Sequence, residues 1–221
     1  MVKVVLDRSA VPYTANAQAK AGDLAASGYT LTNAGGNGLL DPGETVQVWV
    51  AAGTYKPTAG IDRNAAFAME SGVAIYGGFV GTETLRTQRN WTTNVTTLSG
   101  EIGDPALLID NSFHVVLGDG VNATAVLDGF TISGGNANSG ALPHYYGAGM
   151  YNAGGSPTLT NVVFTSQNAS GMGGGMYNIA GSSPLLTAVS FSSNQAQAGA
   201  GMYNEGSNPV LVRVSFADNS A

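Results

Sequence analysis

Cysteine is absent from this chain, which excludes disulfide staples and thiolate metal sites. Charge is scarce too: Asp, Glu, Lys and Arg make up 10% of 221 residues, against roughly 25% in ordinary soluble domains. From residue 129 onward the only charged side chains are Glu205, Arg213 and Asp218. Eight Lys and Arg against fourteen Asp and Glu leave a net charge of −6. No basic cluster exists to neutralise phosphates, so no nucleic-acid partner is expected. No run of about 18 apolar residues occurs, so no segment reads as a membrane span. The start, MVKVVLDRSA, has too short an apolar stretch for a signal peptide; export implies a leader already removed.

What the chain has is glycine, 32 residues of it, with many Asn, Ser and Thr. It also has a repeat. GMYN stands at 149–152, 175–178 and 201–204, in two steps of 26 residues. From residue 147 each unit carries a GMYN, then a Pro, an L-x-x-V-x-F core and an Asn. The core columns are Leu159, Val162, Phe164; Leu186, Val189, Phe191; and Leu211, Val214, Phe216, followed by Asn168, Asn194 and Asn219.

A period of this length means a stacked array. Helical repeats are excluded by the Gly, Asn, Ser and Thr content and the missing 3.6-residue apolar period. Propeller blades need about 40 residues. One coil of a parallel β-helix fits: short strands joined by turns, stacked about 4.8 Å from the next coil.

Alternation then sends Met150, Met176 and Met202 inward, and Tyr151, Tyr177 and Tyr203 outward as a ladder. Asn152, Asn178 and Asn204 are placed to pass amide hydrogen bonds between coils. The spacing of three from Leu to Val demands a bend with both residues inside, and Gly is expected at the corners. Upstream, 46–55, 72–80, 94–102, 112–118 and 124–135 read as strands of less regular coils. Residues 63–71, 82–92 and 136–146 read as excursions. The chain divides into a 1–45 N-terminal segment and a 46–221 solenoid, with the regular repeats over 147–221.

The runs VWVAAGTYKP, GVAIYGGFVGTET with QRNW, TLSGEIG, NSFHVV and AVLDGFTISGGNA, followed by GGGMYN coils, resemble secreted bacterial right-handed parallel β-helix surface proteins. The repeats are also similar, more loosely, to polymorphic outer membrane protein repeats in their F-x-x-N elements. The resemblance covers about 46–221. It implies an all-β, single-stranded right-handed parallel β-helix at the cell surface or outside the cell, and little about activity.

Residues 1–45 depart from that family. Residues 15–27 hold good helix formers and suit a cap helix. Val2–Asp7 reads as an alternating strand with no partner evident in its own solenoid. Through Val2, Val4 and Leu6 it is a candidate to complete a neighbour's exposed end coil, where Leu211, Val214 and Phe216 lie. The leading functional reading is therefore head-to-tail self-association of a structural solenoid into a filament or sheath. The alternative is an adhesin or glycan-binding segment using Tyr151, Tyr177 and Tyr203.

A polysaccharide lyase or hydrolase needs clustered outward charges. Asp128 reads instead as a turn acceptor, and Glu101, Asp104 and Asp110 as a loop patch. His114 reads as packed in a strand and His144 as a loop residue, with no third group for a triad. No catalysis is expected. One metal site is suggested: Asn33, Asn37, Asp41 and Glu44 match calcium-loop spacing around Gly38, although only two are carboxylates.

Overall fold

A computed structural model describes the backbone of residues 2–7, 13–19 and 45–221, and side chains from residue 46. Apart from two single-turn 3-10 helices, Arg86–Gln88 and Leu108–Asp110, every described element is a β-strand.

Three sheets hold the main strands of the repeats in parallel, beside a short fourth, and the chain visits the three in turn. Strands Val126–Asp128, Thr158–Thr160, Leu185–Thr187 and Val210–Val212 lie side by side in the first sheet, in an order that rises with sequence. Thr131–Ser133, Val163–Thr165, Ser190–Ser192 and Ser215–Ala217 do the same in the second. Val116–Leu117, Met150–Ala153, Met176–Ile179 and Met202–Asn204 do so in the third. Each strand pairs with its counterpart one coil away, and Met150, Met176 and Met202 stand in exact sequence register, as do Tyr151, Tyr177 and Tyr203.

The core lies between the sheets. Leu159, Val162, Phe164, Leu186 and Phe191 are fully buried, and Met150 and Met176 close the third side. Phe164, Phe191 and Phe216 stack with centroids 4.9 and 5.0 Å apart and nearly parallel planes. The bend between Leu and Val falls on one left-handed residue per coil: Gly129, Asn161, Ala188 and Arg213. In the regular coils these are not glycine, unlike the expectation. A single residue at positive φ turns the chain sharply enough to bury both flanking apolar residues, and that burial offsets about 1–2 kcal/mol of backbone strain.

The amide columns form, with one reassignment. Asn152 Nδ2 donates to Asn178 Oδ1 at 2.8 Å, and Asn178 Nδ2 to Asn204 Oδ1 at 2.9 Å. In the other column Asn194 bonds Asn219, but the place expected for Asn168 belongs to Gln167, whose N–H donates to Asn194 Oδ1. Gln167 is three residues after Phe164, as Asn194 is after Phe191, and its longer amide also reaches the Ile132 carbonyl. Asn168 instead donates to Asn136.

Three further expectations change. The strand β1 (Val2–Asp7) has partners in its own chain: it lies antiparallel between β2 (Tyr13–Ala19) and β3 (Thr45–Ala51). Val2, Val4 and Leu6 stand opposite Val50, Val48 and Val46, so matched alternating segments satisfy both backbone edges within the chain. The cap helix is replaced over residues 15–19 by β2, whose pairing satisfies its backbone without a helix; residues 20–27 lie outside the described residues. Residues 63–71 are not wholly an excursion, because Phe67–Ala68 is the first strand of the third sheet. Its neighbour there is Val116–Leu117, with 82–92 between them; the loop expected over 136–146 likewise begins as a strand, Asn136–Ala137, paired with Asn168–Ala169.

Candidate functional site

The longest departures from the coil are where side-chain chemistry collects. Residues 80–95 leave the end of strand Val73–Phe79 and fold back over the outer face of the first sheet. The loop is held by its own polar groups. Glu83 accepts the N–H groups of Val80 and Gly81 at 2.7 and 2.8 Å. Burial acts to raise its carboxyl, but these backbone donors bring it net below its ordinary value. Gln88 accepts from Thr84 and Leu85, and Asn90 from Thr92 and Thr93. The return lands on Gly78, where a Cβ would lie 2.6 Å from the backbone of Trp91 and φ is +92°. Only glycine admits that approach.

The landing sets six side chains together. Arg89 donates to Asp128 Oδ2 at 2.6 Å and to the carbonyls of Gly77 and Asp128 at 3.0 Å. Asn161 Nδ2 donates to the other Asp128 oxygen at 2.9 Å. Arg86 lies against the Tyr76 ring, 4.6 Å from its centroid, and donates to its hydroxyl at 2.8 Å. Arg89 also packs 4.7 Å from the Trp91 ring. Between them is a groove of about 400 Å³. Past Trp91 a second hollow of about 300 Å³ continues over Gly129, Thr131, Asn161, Val163 and Ala188. Trp91 lines both, and the pair of hollows spans successive coils. Asp128 is therefore an acceptor, as its neighbours in sequence suggested, but its main partner is Arg89 rather than a turn.

The tyrosine ladder is a second surface. Tyr151, Tyr177 and Tyr203 stack at 5.7 and 5.9 Å. Tyr146 stacks on Tyr177 at 4.8 Å, and Tyr177 is 2% exposed, so the middle rung faces protein rather than solvent. Its hydroxyl donates to Glu205, and burial with this neighbouring carboxylate raises its pKa. Tyr151 and Tyr203 are half-buried.

Next to the ladder the two histidines meet. His114, buried and two residues before its strand, faces the Gly147 carbonyl through Nδ1 at 3.0 Å, and its Nε2 lies 3.3 Å from His144 Nδ1. Burial pushes the His114 imidazole down to about 4. His144 is also lowered, by burial and by Arg63. Arg63 binds the carbonyls of Asn111 and Asn136 and the side chain of Asn138, tying its own segment to the end of the Leu108–Asp110 turn and to residues 136–138.

Elsewhere, Asp110 accepts the N–H of Asp104 at 2.8 Å, while Glu101 receives no bond from either. Leu211 and Phe216 are 45% and 50% exposed on the final strands, and Val214 is half-buried. Asn33, Asn37, Asp41 and Glu44 lie outside the described residues. Among the described residues no three His, Asp or Glu side chains group as metal ligands.

The Trp91 groove was not found from sequence. Its parts are 76, 86, 89, 91 and 128, and only an alignment of coils with the excursion removed brings them onto one face. Compared with protein-family models, curated proteins and solved structures, the chain matches none.

Proposed function

We propose that this chain is a carbohydrate-binding segment of an extracellular or cell-surface right-handed parallel β-helix protein, with the groove on either side of Trp91 as its binding surface. The groove carries the reading: an aromatic ring 38% exposed stands between two hollows on a rigid scaffold. Apolar ring faces with a few polar groups suit a sugar's C–H face and its hydroxyls. The groove extends across coils, which suits a chain of sugars rather than one. Binding is favoured over cleavage because the groove's carboxylate, Asp128, is committed to Arg89 and Asn161. Right-handedness is supported by the strong bias of parallel crossovers. The surface setting rests on the resemblance and on the low charge.

The test is a saccharide array read by binding and by tryptophan fluorescence. A saccharide that shifts the emission of the native chain and is lost in Trp91→Ala supports the reading. Binding that survives Trp91→Ala unchanged, or no binding at all, overturns it.

A second reading, end-to-end assembly, is favoured by one observation. Leu211 and Phe216 are about half exposed, although Leu186 and Phe191 in the same columns are fully buried. In this reading a further coil of matching shape covers them. Since β1 is paired within the chain, the outer edge of β2 becomes the matching surface, and β2 runs parallel to β3. Light scattering of the native chain beside Phe216→Asp decides it: association lost in the variant supports assembly, and two monomers sink it.

A further inference from the structure

Resting on the carbohydrate reading, we infer that Arg86 makes this groove selective for anionic saccharides, those bearing carboxylate or sulfate groups. The two arginines that line it differ in their partners. Arg89 is neutralised by Asp128 at 2.6 Å and its donors are spent on carbonyls of the coil. Arg86 differs. The only hydrogen bond of its guanidinium among the described residues is to the Tyr76 hydroxyl, it has no carboxylate partner there, and it is exposed. The groove thus carries one uncompensated positive charge on a chain whose net charge is −6.

The placement is also fixed rather than incidental. Arg86 opens a 3-10 turn, Arg86–Gln88, whose preceding N–H groups are held by Gln88. Its guanidinium rests on the Tyr76 ring. One donor is used on the hydroxyl; the rest of the planar fork remains for a ligand. A guanidinium fork matches the two oxygens of a carboxylate or sulfate. Trp91, across the same hollow, supplies the surface for the ring that carries the anion. A cation over an aromatic and an aromatic ring within one groove recognise an acidic sugar; neither alone does.

The experiment titrates the native chain with hexagalacturonate, its methyl ester, a dextran sulfate oligomer and neutral dextran, by tryptophan fluorescence and calorimetry. The ester keeps the ring and removes the charge. The acidic forms are expected to bind about tenfold tighter or more than their neutral partners, as for charged hydrogen bonds generally. Arg86→Gln abolishes that difference, and Arg86→Lys keeps part of it, with salt weakening the remainder. Binding of the sulfated arm alone also supports the proposal and assigns the anion as a sulfate ester. Equal binding of acidic and neutral forms, lost in Trp91→Ala, overturns the charge selectivity and leaves the carbohydrate reading standing. Selectivity that persists in Arg86→Gln overturns the role of Arg86. No binding by any of the four overturns the selectivity. Unchanged melting of Arg86→Gln, expected for an exposed side chain, keeps these outcomes clear of misfolding.

Discussion

Arg89 and Asp128, 39 residues apart, meet at 2.6 Å with side chains only 8% and 13% exposed. One belongs to an excursion and the other to a coil strand, so the pair fastens loop to scaffold. It also holds the wall of the groove.

Removing one partner leaves a mostly buried carboxylate with Asn161 alone. Arg89→Ala is therefore expected to cost roughly 3–5 kcal/mol, the range for breaking buried pairs. Asp128→Asn keeps acceptor and shape and costs less. Urea denaturation measures both. A loss below about 1 kcal/mol in Arg89→Ala means that the excursion is held by its internal turns instead.

Asn178 is fully buried and bonds both Asn152 and Asn204. Asn178→Ala removes two bonds and leaves Asn152 Nδ2 with the Gly155 carbonyl alone, so one buried N–H goes unpaired at about 1–3 kcal/mol. Asn204 is exposed at the end of the column, so water can replace its oxygen as the acceptor for Asn178 Nδ2, and alanine there is expected to cost less. Equal losses at the two positions count against the ladder as a cooperative column.

The ladders and the core were legible because each coil repeats the same short alternation, and register follows once residues 26 apart are stacked. Met150 over Met176 needs nothing else. The bend also followed from spacing, but not its residue type, since Ala188 and Arg213 carry no local preference for positive φ. Buried neighbours impose that turn. The groove stayed hidden for a different reason. Arg89 reaches Asp128 through a loop whose path is set by Gly78 and by side-chain bonds, and no period records a loop's landing point. The histidine pair is similar: Arg63 and an intervening excursion bring His144 to His114. The partners of β1 were missed because an isolated alternating strand does not announce which edge it joins.

Phe191 is fully buried between Phe164 and Phe216, whereas Phe216 is 50% exposed with one ring neighbour. Phe191→Ala is expected to cost about 3–5 kcal/mol and Phe216→Ala roughly half as much. If copies stack over the final strands, the Phe216 loss grows with protein concentration, because association stabilises the folded chain by mass action. Denaturation at two concentrations separates these cases.

The histidine pair sets an acid limit on stability. His114 Nδ1 donates to the Gly147 carbonyl, which leaves Nε2 to accept from His144 Nδ1. Facing this pair are Arg63, behind the Phe113 ring that stacks on His144, and Tyr151, whose ring packs on His114. Burial lowers His114 from 6.5 to about 4 in the folded chain. Between those values the unfolded chain binds more protons, so the contribution is complete above about pH 6.5 and is lost as pH falls towards 4. The loss is on the order of 3 kcal/mol from this group. His144 is lowered as well and acts in the same direction. His114→Asn retains a donor for the Gly147 carbonyl without titrating. The stability difference between native chain and variant should therefore change across pH 4–6.5 and stay level above it. A difference that is flat across the whole range removes His114 as the titrating group. The same acidification should lower hydrogen-exchange protection at Gly171, whose N–H donates to the Tyr145 carbonyl at 2.9 Å, since that bond pins the loop covering Tyr177. Protection that holds through pH 4 separates the loop from the histidines.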